Sequence, residues 1–525
     1  MAYAPRTVPP DVSRTLKGFL ASCVKHMTRT LEAASLLADF RARRNKGSLG
    51  AEQVEREARR AADLIINAHR ERGGYLRDAV TLLCEITADE NREVARAGVR
   101  ILFPDLIERL NDSFDPAACE LYDRIFAQVI DFYRRLAQAV DFHKALRGFG
   151  LMSESDLLAR KSAIRNPQSA IRNPQSAILK VLLLSRVTIG ADVAVTSVIM
   201  SKLQAMLPGA EFVLLGSSKL RELFGGDPRV RIHEIKYERG ADVLSRLESW
   251  IDVVEAVSEE TQGLSADEFL LIDPDSRLTQ LGLLPLVKDE RNYFFFESRS
   301  YQGRTTAVDR NPQSQSPDPQ SVGQLASCWA NEVFGATGVS YPYVAPPAEH
   351  RNFGRLVVEK LRRAGASRVT VVSFGVGGNQ NKRVSEEYEI GTVNRLIKDS
   401  ALILDKGATE EEREQIDRVV ATLRAAGHAV VEIDGGARSG AISGDKIEAD
   451  AVTWDGGLGA FAGLIAAGDS YVGYDSAGQH IAAALRIPTL TIFVNTNSPT
   501  FAERWRPYGP GIIEVLNVES ENVSQ

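Results

Sequence analysis

The sequence predicts an all-α domain followed by two Rossmann-like α/β domains that face a cleft. Three observations carry this expectation. Apolar stripes at helical spacing run from residue 12 to about 160. From Leu179 onward, short apolar runs alternate with helical segments, the pattern of parallel sheets built from right-handed βαβ units. A proline-rich stretch, "YPYVAPP" at 341–347, divides that alternation into two halves.

The helical part, 1–160, is clearest in "DPAACELYDRIFAQVIDFYRRLAQAVDFHKAL". Asp115 suits an N-cap and Pro116 the first helical position. Leu121, Ile125, Val129, Phe132, Leu136 and Val140 then form one stripe, at spacings of four and three. Similar stripes in "RTLKGFLASCVKHMTRTLEAASLL" and "REVARAGVRILFPDLIERL" predict a bundle. The region holds no cluster of side chains that suggests chemistry. A tandem seven-residue repeat follows, "SAIRNPQSAIRNPQSAI" at 162–178. Each unit carries Asn-Pro, which interrupts helix hydrogen bonding, so 161–178 is expected to be a linker and not a zipper. Its echo, "RNPQSQSPDPQS" at 310–321, is expected to be an exposed loop.

The first α/β domain, 179–345, starts with a buried-type strand, "KVLLLSRV", a helix, "DVAVTSVIMSKLQAML", and a second strand, "EFVLLG". "RVRIHEI" and "EFLLIDPD" continue the series. The second domain, 346–525, starts with helix "NFGRLVVEKLRRAG". Its strands read as "SRVTVVSFG", "SALILDKG", "HAVVEIDG", "SYVGYD" and "PTLTIFV". In such sheets ligands bind outside the carboxyl ends of the strands.

Composition bounds the function. A chain of 525 residues, 44% hydrophobic and 25% charged, is a multidomain globular protein. A net charge of −6 and a pI near 5.8 argue against nucleic acid as a partner; the basic run "RARR" at 41–44 reads as a solvated helix end. Cys23, Cys84, Cys119 and Cys328 are far apart and show no metal-ligand spacing, as expected of reduced thiols in the cytosol. The N-terminal residues show no apolar core of a secretory signal, and apolar runs such as "AILKVLLL" are too short to span a membrane. The expected location is the cytoplasm, at most peripheral at the inner face of a membrane.

Three stretches could carry chemistry. In "VTVVSFGVGGNQNKRV", Gly375, Gly377 and Gly378 would let backbone N–H groups approach a phosphate, with Lys382 as a point charge. It is not a dinucleotide fingerprint, because Gln380 stands where the third glycine belongs, and a plain surface loop is the alternative. In "VGYDSAGQHIAAALRIPTLTIF", a strand hands over to a helix through Asp475, Ser476, Ala477 and Gly478. A helix N-terminus holds anions, so this corner fits a diphosphate; otherwise Asp475 is an N-cap and His480 a packing residue. "SRVTIGADVAVTSV" has the same layout, with Asp192 either a general base or an N-cap.

These stretches occur in order with "LLIDPDSRLTQLGLL", "LGAFAGLIAAGDSYVGYDSAGQHIAAALRIPTLTIF" and "ERWRPYG". Together they resemble the family 9 glycosyltransferases, among them the lipopolysaccharide heptosyltransferases, over about 179–512 and most strongly over 454–509. The resemblance does not include 1–160. It implies a GT-B type transferase, inverting and with neither metal nor cofactor. Asp192 is the implied catalytic base; Lys382, Asp475, Ser476, Ala477, Gly478 and His480 are the implied donor-binding residues. Lys382 and the helix N-terminus would stabilise the leaving diphosphate, and His480 would act as a neutral hydrogen-bonding group. This chain departs from the pattern in having Ala191 between Gly190 and Asp192, Ala477 in place of a glycine, and "VNTNSPT" where an acid is usual. The implied donor is a nucleotide sugar, ADP-heptose by analogy. The implied acceptor is a glycan, a lipid-linked molecule or a protein. The helical domain is left for acceptor recognition, self-association or docking of a partner. Two other readings stay open: a nucleotide-sugar epimerase, and a sugar-nucleotide-binding or scaffold protein without turnover.

Overall fold

A computed structural model describes residues 10–71, 74–164, 178–237, 240, 242–303, 320–377, 382–435, 445–494 and 499–519. The chain divides into two compact units. The first comprises Met1–Ala163, Glu238–Ile251 and Leu283–Pro285; the second comprises Ile164–Tyr237, Asp252–Gly282 and Leu286–Gln525.

The first unit is helical. Pro10–Asn45, Ala51–Arg70, Arg77–Thr87 and Pro116–Tyr133 are its longest helices. Asp115 caps the last of these by accepting from Ala117 N, and Pro116 stands in its first turn. The single helix expected over 115–146 is in fact two, Pro116–Tyr133 and Val140–Gly148. Arg134 and Arg135 turn back onto the buried Asp131, and Val140, expected on the apolar stripe, is 65% exposed. The segment around Pro104 widens into a π-helix, Ile101–Glu108, which accommodates a residue that has no N–H to donate. Trp250 belongs to this unit: its Nε1 donates to the Pro285 carbonyl at 2.6 Å, and the Phe142 ring meets it edge-on at 5.9 Å. A fully apolar surround would leave Lys161 uncompensated, and Asp123 answers it at 2.6 Å.

The repeat expected to be a linker, 161–178, lies outside the described residues except for Lys161–Ile164, which end the helix Glu154–Ile164, and Ile178. The expected loop at 310–321 is described only at Gln320 and Ser321. Ser321 caps helix Val322–Phe334 through a capping box with Gln324. Cys84, Cys119 and Cys328 are buried and in no disulfide. Among the described residues no helix is long and apolar enough to cross a membrane.

The second unit holds two parallel sheets with helices, the α/β arrangement expected of a GT-B fold. The first sheet contains β1 (Lys180–Leu184), β2 (Glu211–Gly216), β3 (Val230–Glu234), β4 (Phe269–Asp273) and β5 (Tyr293–Phe295), in the order β3-β2-β1-β4-β5. The second contains β6 (Val369–Ser373), β7 (Ala401–Asp405), β8 (Val430–Gly435), β9 (Ala451–Gly456), β10 (Ser470–Tyr474), β11 (Thr489–Val494) and β12 (Ile513–Val518), in the order β12-β11-β10-β6-β7-β9-β8. Every pairing is parallel; Val181 sits opposite Phe212 and Leu270, and Val472 opposite Val372 and Leu490. Strands buried on both faces need continuous apolar runs, which is why β1 reads KVLLL and β4 FLLID. The strand order reverses between β1 and β4 in the first sheet, and between β6 and β10 in the second. These are the crevices where ligands of open α/β sheets bind.

Candidate functional site

The second crevice receives Lys382, which follows β6, and Asp475, which follows β10. Ser476 is the N-cap of helix Ala477–Ala484, with φ −151° and ψ −176°, and no side chain caps the helix. Asp475 therefore does not serve as the N-cap. Its Oδ1 accepts from Gln479 Nε2 at 2.8 Å and its Oδ2 from Lys382 Nζ at 2.5 Å. Lys382, 32% exposed, also lies 5.3 Å from the centroid of the Phe501 ring. The lysine and the aspartate, 93 residues apart in sequence, form a single ion pair beside a helix N-terminus.

The glycine loop behaves differently from expectation. The Val376 and Gly377 amides both donate to Oε1 of the buried Glu412, at 2.7 and 3.0 Å. Glu412 Oε2 takes the amides of Ala408 and Thr409 at 2.8 and 3.1 Å. A carboxylate already occupies the place where these N–H groups would receive a phosphate, so the cradle expected of Gly375 and Gly377 is closed by the protein itself. Gly378 lies outside the described residues.

Gly478 owes its size to Tyr471. A Cβ there would stand 2.2 Å from Tyr471 Oη, under the first turn of the helix. That hydroxyl is buried close to those of Ser373 and Ser476, yet makes no hydrogen bond of good geometry among the described residues. Ala477 and His480 face the other lobe: a Cβ on Gly190 would lie 3.3 Å from both Ala477 Cα and His480 Cδ2. Burial holds the His480 imidazole well below its ordinary value, at about 4, despite the nearby Asp475 carboxylate, so the ring is neutral at pH 7. Its ring stands 6.3 Å from that of Trp505.

In the first crevice, Asp192 opens a short π-helical stretch, Asp192–Thr196. It is fully buried, and its carboxylate closes the turn that leaves β1. Oδ1 accepts from Arg186 N at 2.6 Å and Thr196 Oγ1 at 3.0 Å, while Oδ2 accepts from Ser185 Oγ at 2.6 Å. Ser185 Oγ in turn accepts from the amide of Val187 at 2.9 Å. Val187 sits at φ 72°, a strained conformation for a β-branched residue. Burial raises the Asp192 carboxyl to about 6, against the pull of these hydrogen bonds. N-capping is not its role, since Thr188 is the N-cap of the helical turn Ile189–Ala191.

Sequence reasoning passed over Arg186. Its buried guanidinium donates to the Pro274 carbonyl and Ser298 Oγ, each at 2.9 Å, and lies 3.8 Å from Asp275. Burial lowers it to about 10, so it stays charged at neutral pH, and it faces the Trp505 ring at 5.8 Å. Its one sequence signal is its place two residues past the end of β1. Trp505 stood in the quoted "ERWRPYG" without a role. The structure thus brings Gly190 to Ala477 and His480, and Arg186 to the Trp505 ring. Among the described residues no three His, Cys, Asp or Glu side chains group as a metal site would require.

Residues 456–525 match the glycosyltransferase family 9 (heptosyltransferase) profile. No curated protein matches the chain. Among solved structures, a family 9 glycosyl transferase from Veillonella parvula is similar at 14% identity, with 66% of this chain and 89% of that one covered and a TM-score of 0.45. E. coli heptosyltransferase WaaC with ADP-2-deoxy-2-fluoro heptose gives 15% identity, 66% and 96% coverage and a TM-score of 0.41. E. coli ADP-heptose lps heptosyltransferase II gives 17% identity, 64% and 90% coverage and a TM-score of 0.40.

Proposed function

We propose that the protein is a glycosyltransferase. It moves a sugar, heptose by analogy, from a nucleotide-sugar donor to a glycan, lipid-linked or protein acceptor. The observation that carries this reading is the meeting of two crevice corners, Gly190–Asp192 and Asp475–His480, at the carboxyl ends of two parallel sheets.

The chemistry follows from the side chains. Asp192 is the base: with its carboxyl near 6 it is ionised at neutral pH and takes the proton of the acceptor hydroxyl. The deprotonating hydroxyl attacks the anomeric carbon from the face opposite the diphosphate, which inverts the centre. Lys382 and the first turn of helix Ala477–Ala484 take up the charge growing on the leaving diphosphate, without a metal. Ser476, Ala477 and Gly478 bring the backbone to it, Asp475 holds sugar hydroxyls, and neutral His480 gives a hydrogen bond to phosphate or ribose. We place the enzyme in the cytoplasm, at most peripheral at the inner face of the membrane, with the helical unit serving acceptor docking or self-association.

The test is nucleoside diphosphate release from a panel of nucleotide sugars by wild type, Asp192→Ala and Lys382→Ala. Release by wild type that both substitutions abolish supports the transferase. A second reading, a sugar-nucleotide-binding protein without turnover, draws on Gly190 covering Ala477 and on Glu412 taking the loop amides. Thermal stabilisation by a nucleotide sugar with no release under any acceptor selects that reading.

A further inference from the structure

Arg383 follows Lys382 in the chain, and Tyr474 precedes Asp475. The two members of the ion pair thus each have a neighbour whose side chain turns inward, and both neighbours end on one carboxylate. Glu389, fully buried in helix Glu386–Leu396, accepts from Arg383 Nε at 3.1 Å and Nη2 at 2.9 Å on Oε1, and from Nη2 at 2.7 Å on Oε2. Tyr474 Oη donates to Oε1 at 2.8 Å and itself accepts from the Val384 amide at 3.4 Å. Gln415 Nε2 closes the set on Oε2 at 3.3 Å. A buried guanidinium–carboxylate pair contributes little net stability compared with apolar packing, but it fixes geometry, because each bond has a direction.

Resting on the donor-site reading above, we infer that Glu389 is a positioning residue that sets the separation of Lys382 from Asp475 without touching the ligand. It ties the Lys382 segment to the end of β10 through Arg383 and Tyr474. The geometry offered to a diphosphate is therefore decided one layer below the residues that meet it.

Calorimetric titration of the full-length protein with ADP and with adenosine tests this. The ratio of the two Kd values isolates the contribution of the phosphates; a merely structural defect weakens both ligands alike and leaves the ratio unchanged. Lys382→Ala and Glu389→Gln are each expected to shrink the ratio by about tenfold, and Tyr474→Phe by about threefold, with adenosine binding held within about twofold. A wild-type ratio in Glu389→Gln and Tyr474→Phe, alongside a lost ratio in Lys382→Ala, overturns the inference and leaves the donor site standing. A ratio of one in the wild type overturns the donor site, and the inference with it. Should Glu389→Gln fail to fold, Tyr474→Phe decides alone, since it keeps the Arg383–Glu389 pair.

Discussion

Replacing Asp192 by Asn separates its two jobs, closing the β1 turn and holding a charge. The amide keeps Oδ1 as acceptor for Arg186 N–H and Thr196, and its NH2 can donate to Ser185 Oγ, so the turn survives. What disappears is the cost of a buried charge. The folded carboxyl titrates at about 6 against an ordinary 3.8, a gap of about 3 kcal/mol at about 1.4 kcal/mol per pH unit. The sign follows from proton binding. Between pH 4 and 6 the folded state holds this proton and the unfolded state does not, so stability falls as pH rises and the full penalty is present above 6. Asp192→Asn removes that fall. Hydrogen exchange of the amides over 180–200, corrected for intrinsic rates at each pH, gives the local stability of wild type and variant. Subtracting the two cancels all other titrations. The difference should grow in favour of the variant by about 3 kcal/mol from pH 4 to 7. A difference that stays flat across that range refutes the claim that Asp192 is an ionised, buried carboxylate.

Four further outcomes are expected. His480→Asn should flatten an acid-side loss of stability: the folded ring titrates near 4 against an ordinary 6.5, so the wild type loses about 3 kcal/mol as pH falls through that window, read by the same exchange experiment on 470–490. Gly478→Ala should destabilise by about 1–3 kcal/mol, because its methyl meets Tyr471 Oη at 2.2 Å; removing that hydroxyl in Gly478→Ala/Tyr471→Phe should recover part of the lost melting temperature. Glu412→Ala should strip partners from four amides and lower the protection of 374–377 and 408–409 in hydrogen exchange, with binding of inorganic phosphate unchanged or improved. Deleting 1–160 should leave Trp250 without Phe142 and Phe149, red-shift its fluorescence and cost about 3–5 kcal/mol, visible as aggregation in sedimentation.

Much of the α/β part was legible because parallel strands buried on both faces are written as apolar runs. "EFVLLG" is β2 from end to end. Three strands were not singled out: β5, only three residues long, β9, whose apolar run Thr453 interrupts, and β12, an edge strand exposed along most of its length. The helical repeat pattern carried past Tyr133 to Val140, since no Gly or Pro marks the break there. The contacts of Asp131 with Arg134 and Arg135, and of Arg134 with the Met152 carbonyl, accompany it. At the site, motif spacing singled out Lys382, Asp475 and His480 but not their mutual pairing, which depends on the β6–β10 adjacency. Tertiary partners were also invisible: Glu412 beneath the glycine loop, Tyr471 beneath Gly478, and Glu389 between Arg383 and Tyr474. A glycine read as room for a ligand can equally be room for a neighbouring side chain.

The most direct measurement is transfer of a labelled sugar at saturating nucleotide-sugar donor by wild type and Asp192→Asn, with ADP affinity measured in parallel. Transfer by the wild type, equal ADP affinity, and a loss of transfer in the variant of about 10²–10⁴-fold are expected for a base in the cleft. Equal transfer rates in the two proteins, or no transfer by the wild type from any donor, would contradict it.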